Sequence, residues 1–218
     1  MTGFFITIEG PDGAGKSTQV RLLAEYLREK GLEVVVTREP GGTPLAEKIR
    51  NLVLDVSEEP VAPVTEVLLY AASRAQHVDQ LIKPALQRGA VVISDRFVDS
   101  SIAYQGFGRR LGADLVWQVN RPAVGEIMPH LSIILDIEPG QGRRRLARRQ
   151  QLQQTGPDRL EQEQLVFHHR VREGFLALAK EYPERIKLLS AEGSIDSIHR
   201  QIVSLVKEKI NAKGMDRD

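Results

Sequence analysis

The 218-residue chain contains no cysteine, one tryptophan and few aromatic residues, which make up 5% of it. Without thiols it has no disulfide and no cysteine-held metal, and a chain of this length buries an adequate core without either. Long apolar runs are also missing. The longest are strand-sized, far short of the roughly 20 residues that span a bilayer. The sequence begins without a recognisable secretory leader, so the expectation is a cytoplasmic protein with no membrane partner. Net charge is almost absent: 30 Lys and Arg offset 29 Asp and Glu, leaving +1. No global field therefore exists to attract nucleic acid, and none is expected as a partner. Internal repeats, low-complexity linkers and compositional breaks are lacking too, which predicts one domain over residues 1–218.

What is present begins with residues 10–17. Gly10-Pro11-Asp12-Gly13-Ala14-Gly15-Lys16-Ser17 follows the apolar run Phe4-Phe5-Ile6-Thr7-Ile8 and precedes Val20, Leu22, Leu23, Tyr26 and Leu27 at helical spacing. A glycine-rich turn that binds nothing would match the eight residues alone, but the strand before and the helix after are the context of a phosphate-binding loop. Glycines let successive N–H groups converge on an anion, and the helix N-terminus adds partial positive charge. Lys16 is placed to reach the β and γ phosphates of a nucleotide, and Ser17 to hold Mg²⁺.

Strand-like runs recur at residues 4–8, 33–37, 91–94, 131–136 and 186–189, between stretches whose helical spacing is clearest at 17–29, 64–88, 160–182 and 194–210. This alternation predicts an α/β fold with a five-stranded parallel sheet between two helical layers. Pro84 predicts a kink in the helix over 64–88. The least regular regions, 97–112 and 140–158, each follow a strand, which is where open α/β sheets bind ligands. Gln150-Gln151-Leu152-Gln153-Gln154-Thr155-Gly156-Pro157 is polar and turn-prone, so 140–158 is expected to be a mobile lid. It contains the densest basic run, Arg143-Arg144-Arg145-Leu146-Ala147-Arg148-Arg149. A solvated helix face would look the same, as would a nucleic-acid patch; beside a phosphate loop, arginines that close over a nucleotide are a third reading.

Two strands end in acids, Asp95 and Asp136, and either can supply a carboxylate for the Mg²⁺ shell. Asp95 is the better candidate because Arg96 follows it, whereas Asp136 can instead cap the helix starting near Pro139. Arg38, Arg74 and Arg96, near strand ends or on a helix able to face them, suggest guanidinium forks for a second phosphate group. A second anionic substrate changes the reading from hydrolase to transferase. Residues 97–109 supply hydroxyls, an amide, aromatics and glycines, the makings of a pocket for a flat base and a sugar. His168-His169 are adjacent and point to different helix faces, so they do not make a metal site.

Taken together, the loop with Asp12, Thr37-Arg38-Glu39-Pro40-Gly41-Gly42-Thr43, Tyr70 to Arg74, Asp95-Arg96, Ser101-Ile102-Ala103-Tyr104-Gln105-Gly106 and Asp158-Arg159-Leu160-Glu161 closely resemble bacterial thymidylate kinase. The resemblance runs from the first strand to the C-terminal helix. It implies phosphoryl transfer from MgATP to dTMP, giving dTDP and ADP. It also implies an ATP-binding set of Gly10, Pro11, Asp12, Gly13, Ala14, Gly15, Lys16, Ser17 and Thr18. For dTMP it implies Tyr70 stacked on thymine, Arg74 on the base and phosphate, Ser101 and Gln105 on the base edge, and Tyr104 where a ribose 2′-OH would lie. Arg38 and Arg96 match groups that hold the dTMP phosphate, and Asp12 an acid near the sugar 3′-OH and the reacting phosphates.

Relatives of this kind carry a catalytic arginine either in the phosphate loop or in the lid. Gly13 and Ala14 leave the loop without one, so the resemblance assigns it to the lid: Arg145, three residues after Gly142, with Arg148 and Arg149 as competitors. The catalytic set it implies is thus Lys16, Asp12, Arg96 and Arg145 or Arg149. Ser17 and Asp95, with Asp158 and Glu161 near the lid hinge, are the expected surroundings of Mg²⁺. A symmetric homodimer is implied as well, in keeping with the apolar surplus of the helix around Val64 to Leu86. Rival readings are another nucleoside monophosphate kinase acting on UMP, dUMP or AMP, and a P-loop ATPase or binding module without an acceptor. A GTPase is disfavoured because no Asn-Lys-x-Asp segment is present.

Overall fold

The structure is a computed structural model and describes residues 2–56 and 59–214. Five strands, β1 (Phe4–Glu9), β2 (Val34–Arg38), β3 (Val91–Asp95), β4 (Leu131–Asp136) and β5 (Ile186–Ser190), form one sheet in the order β2-β3-β1-β4-β5. All four pairings are parallel. The expected sheet is therefore present, with strand ends within one residue of those read from the sequence.

Helices cover both faces, which is why β1 is buried along its whole length. On one face Ile6 and Ile8 of β1 meet Val20, Leu23 and Leu27 of α1 (Lys16–Glu29), and Ile198, Ile202 and Val206 of the C-terminal helix Ile195–Ala212. The strand period sends Phe5 to the other face, into a cluster with Val78, Ile82, Val92, Phe97 and Val124. A further cluster on that side joins Tyr70, Tyr104, Phe167 and Phe175.

Between the strands lie α2 (Pro44–Leu54), α3 (Pro63–His77), α4 (Lys83–Gln87), α5 (Val98–Ser101), α6 (Ala113–Val124), α7 (Pro139–Gln153) and α8 (Leu165–Glu181), with Ile195–Ala212 as α9. Pro84 does disturb its helix. A π-helical turn, Val78–Ile82, separates α3 from α4, and the Lys83 N–H reaches back to the Val78 carbonyl. The wider turn accommodates a residue that has no N–H and whose ring crowds the preceding turn.

The two regions expected to be irregular are instead mostly helical. Residues 98–108 form α5 and a second π-helical turn, Ile102–Gly108, and α7 runs through most of the segment 140–158. Glu138 starts α7 by accepting from the Gln141 N–H at 3.1 Å, with Pro139 in the first turn. This corrects the capping role considered for Asp136, whose carboxylate is held by Arg172 at 2.7 and 2.8 Å. No described helix is long and apolar enough to cross a membrane.

Strand register positions the site. Ile8 of β1 and Arg38 of β2 both lie opposite Asp95 of β3. Glu9, the last residue of β1, and Glu39 and Arg96, which follow β2 and β3, therefore come side by side at the carboxyl edge of the sheet, the edge from which the phosphate loop also springs.

Candidate active site

A cleft of about 330 Å³ opens along that edge. Its floor is the phosphate loop, where Gly13 and Gly15 hold the left-handed backbone that the turn requires, with φ of 79° and 91°. Gly15 caps α1 without any side-chain hydrogen bond, so the first N–H groups of the helix remain open to a ligand. Lys16 Nζ donates to the Pro11 carbonyl at 2.9 Å. Burial, with nearby Arg96, pushes its ammonium down to about 8 against the pull of Asp12 and Asp95. Gly10, Pro11 and Ala14 do not line the cleft; they shape the loop behind Asp12, Gly13, Gly15, Lys16, Ser17 and Thr18, which do.

Ser17 Oγ donates to Asp95 Oδ2 at 2.6 Å. This pair of oxygen donors suits a hard cation at the helix start. Among the described residues no group of three or more His, Asp or Glu side chains is placed to hold a metal ion alone.

Arg96 stands at the centre. Its backbone is left-handed, φ 74°, which a residue with a side chain rarely adopts and which marks functional sites. Its Nη2 donates to Asp12 Oδ1 at 2.5 Å and to the Tyr104 hydroxyl at 3.0 Å, and Tyr104 donates in turn to Asp12 Oδ2 at 2.7 Å. Nη1 donates to the Gly10 carbonyl at 3.1 Å and to Ser100 Oγ at 3.0 Å. Burial opposes the charge of Asp12, yet Arg96, Lys16 and the Tyr104 hydroxyl outweigh it and hold the carboxyl down at about 2. For Tyr104, burial and then Asp12 push the phenol well up, so it stays a neutral donor.

Arg38, Tyr70, Arg74, Ser101 and Gln105 line the other end of the same cleft. Arg38 is half exposed and pairs with Glu47 at 3.0 Å. Arg74 is 1% exposed, and its fork is largely committed. It donates from Nε to Glu39 at 2.8 Å, from Nη2 to the Phe97 carbonyl at 3.2 Å and Ser101 Oγ at 3.1 Å, and from Nη1 to Asn120 Oδ1. Gln105 donates to Glu66 at 2.8 Å, while its carbonyl oxygen has no partner. The π-helical turn at 102–108 presents Tyr104 and Gln105 to the cleft together, a setting in which such turns recur. Tyr70 lies against the pocket with its phenol pushed up by burial.

On the third side α7 places Arg145 and Arg149, one turn apart, at the cleft, whereas Arg148 does not line it. The helix sits close because two glycines meet. A Cβ on Gly13 would collide with the Gly142 carbonyl, and one on Gly142 with the Asp12 carbonyl. Asp158 and Glu161 also line the cleft. They form a reciprocal box: Asp158 Oδ1 accepts from the Glu161 N–H at 2.9 Å, and Glu161 Oε2 from the Asp158 N–H at 3.0 Å. Burial raises both carboxyls. Glu161 also lies 3.7 Å from Arg149.

Several cleft residues escaped the sequence reading. Arg50 lines it from α2 and donates to the Pro40 carbonyl at 2.8 Å. Glu39, in the TREPGGT segment, anchors Arg74, and the Glu39–Pro40 peptide is cis. Ser100 lies within the quoted 97–109 stretch but was given no role. His168 is buried and His169 lies 3.9 Å from Glu138, so the two part company as expected.

A phosphate loop, an adjacent oxygen pair for a cation and a second cationic subsite in one cleft define a P-loop kinase of small phosphorylated substrates. Residues 8–202 match the thymidylate kinase family. Thymidylate kinase of an Exiguobacterium species is 45% identical over 217 residues, covering 100% of both chains, and that of Deinococcus radiodurans is 49% identical, covering 95% of this chain and 98% of its own. The crystal structure of thymidylate kinase from Ehrlichia chaffeensis superposes with a TM-score of 0.75 at 34% identity, covering 95% of this chain and 99% of its own. The chain belongs to the thymidylate kinase family.

Proposed function

We propose that this chain transfers the γ-phosphoryl group of MgATP to dTMP, giving dTDP and ADP, as a cytoplasmic homodimer with no nucleic-acid or membrane partner. The observation that carries the reading is the single cleft with a phosphate loop at one end and Arg38, Arg96, Tyr70 and Gln105 at the other. A hydrolase has no use for the second cationic end.

In this reading the loop N–H groups and Lys16 bind the donor phosphates, and Lys16 exchanges its Pro11 contact for them. Ser17 and Asp95 hold the Mg²⁺ shell, and Asp158 and Glu161 orient its waters; the bound cation neutralises charge on the phosphates. Arg38 and Arg96 grip the dTMP phosphate, and Asp12, kept ionised by Arg96, receives the sugar 3′-OH. Tyr70 stacks on thymine, while Arg74, Ser101 and Gln105 read its edge; the unpartnered Gln105 carbonyl suits the N3–H donor of thymine. Tyr104, tied to Asp12 and Arg96, occupies the space a ribose 2′-OH needs. Arg145 or Arg149 closes on the transferring group from a lid over about 140–158. The acceptor is already an anion, so positioning and charge neutralisation suffice and no covalent nucleophile is required.

The test is ADP release with MgATP and dTMP, dUMP, UMP, AMP or GMP as sole acceptor. Release that depends on dTMP supports the reading. Acceptor-independent release, or turnover with another nucleotide in its place, overturns it. Light scattering at micromolar concentration tests the dimer, which a monomer mass would exclude.

A further inference from the structure

Glu9 ends β1 directly beneath the cleft, yet nothing in the reaction above uses it. Its side chain is fully enclosed. One oxygen, Oε2, receives the Ser100 hydroxyl at 2.6 Å, and the other, Oε1, has no hydrogen-bond partner. Asp99 of α5 and Glu39 after β2 add repulsion, and burial together with Asp99 raises the carboxyl to about 7 against the pull of Ser100 and Arg96. Lys16 of α1 and Arg185 before β5 also feel its charge. A buried acid with half its acceptors empty and an acid for a neighbour lowers stability. Its position therefore calls for a return other than packing.

We propose that Glu9 is a positioning residue for the acceptor phosphate: it turns the Ser100 hydroxyl so that a lone pair of that oxygen receives Arg96, and so fixes the guanidinium that grips dTMP. This deepens the kinase reading and rests on the role given there to Arg96. A hydroxyl has one proton. Because the Ser100 proton points at Glu9, only lone pairs face Arg96 Nη1, 3.0 Å away. Remove the acceptor and the hydroxyl loses the partner that fixes its rotation, so its lone pair is no longer pinned toward the guanidinium. Arg96 carries this guanidinium on a left-handed backbone, φ 74°, an uncommon conformation for a residue with a side chain. Nη2 is engaged by Asp12 and Tyr104. The Glu9–Ser100 chain and the Gly10 carbonyl anchor Nη1 as Asp12 and Tyr104 anchor Nη2, which leaves the Nε–H and the fixed positive charge to meet a phosphate. The chain survives protonation of Glu9, because a neutral carboxyl protonated on Oε1 still accepts through Oε2.

Steady-state kinetics in both substrates test this on Glu9→Ala, Ser100→Ala, their double variant, Glu9→Gln and Ser100→Thr. Each alanine variant is expected to raise KM for dTMP about tenfold, the scale of one hydrogen bond to a charged group, with KM for ATP within about twofold of wild type. The double variant is expected to be no worse than either single, because both break one chain. Glu9→Gln and Ser100→Thr keep the acceptor and the hydroxyl and are expected to stay within about threefold. An unchanged KM for dTMP, equal rises for ATP and dTMP, or additive losses in the double variant would overturn the proposal. If Glu9→Ala does not fold, the contrast between Ser100→Ala and Ser100→Thr decides in the same way. Wild-type protein without dTMP-dependent turnover would remove the kinase reading itself, and this role of Glu9 with it.

Discussion

Arg74 and Glu39 form an ion pair at 2.7 Å with side-chain exposures of 1% and 3%. The same carboxylate lies 3.0 Å from His77 Nδ1, and His77 reaches Thr37 Oγ1 at 2.7 Å. One buried network thus ties α3 to Thr37 and Glu39, on either side of Arg38 at the end of β2. Desolvating two charges offsets most of their attraction, but removing one leaves the other buried and unpaired. Arg74→Leu is therefore expected to lower unfolding free energy by about 3 to 5 kcal/mol. The urea midpoint measures it, and a loss below about 1 kcal/mol would place the pair in a wetter setting than this one.

Arg145 and Arg149 face the cleft from successive turns of α7, and Arg148 does not. A guanidinium that meets the transferring group only in the transition state affects turnover rather than binding. Arg145→Ala is expected to reduce kcat by about 10³-fold with little change in KM for either substrate. Arg149→Ala, which also breaks the contact with Glu161, serves as the comparison, and Arg148→Ala is expected to stay within about threefold because it lies off the cleft. A loss seen only in KM for Arg145→Ala would transfer the role away from it.

Lys16 is held down to about 8, first by burial and then by Arg96. Part of the free protein therefore has a neutral lysine at pH 8.5. Donor phosphates restore the charge, so ATP binding at that pH is expected to take up as much as about one proton. Isothermal titration in buffers of different ionisation enthalpy reads this directly. Uptake is expected to fade toward pH 6.5, where the lysine is already charged, and its absence at pH 8.5 would mean an ordinary, solvated ammonium.

Burial and then the charge of Asp99 push the Glu9 carboxyl up to about 7 in the folded chain, against 4.5 for a solvated carboxyl. Between those values the folded state binds the extra proton, so this group makes stability fall as pH rises from 4.5 to 7, and its penalty is constant above. Glu9→Gln cannot ionise. Its advantage over wild type in thermal midpoint is expected to open across that window and level off above pH 7. A pH-independent difference would show that Glu9 ionises alike in both states.

The sheet and the glycine-rich loop after β1 were legible because each rests on contiguous segments. Phe4–Glu9 is apolar enough to be a central strand, and residues 10–17 specify a turn geometry by themselves. Asp95 was legible because it ends the strand next to β1, beside that turn, where it accepts from Ser17. Helix α2 was missed because only Ala46 and Val53 are buried along it, too few to give a period, and Arg50 was missed with it. Residues 140–158 read as irregular for the same reason: α7 buries only Pro139, Gly142 and Leu146. Its helix starts from a local cap, Glu138 on the Gln141 N–H, and is seated by Gly142 against the phosphate loop, a contact distant in sequence. The commitment of the Arg74 fork to Glu39, Asn120, Phe97 and Ser101 likewise arises only in three dimensions.

The meeting of Gly13 with Gly142 bears on how such a cleft can be rebuilt. With α7 seated here, position 13 has no room for a side chain of any kind, and position 142 has none either. A larger residue at position 13 therefore has to displace α7 from the loop, and one at position 142 has to displace the loop from α7, so the spacing between the two elements is set by the absence of a side chain on each.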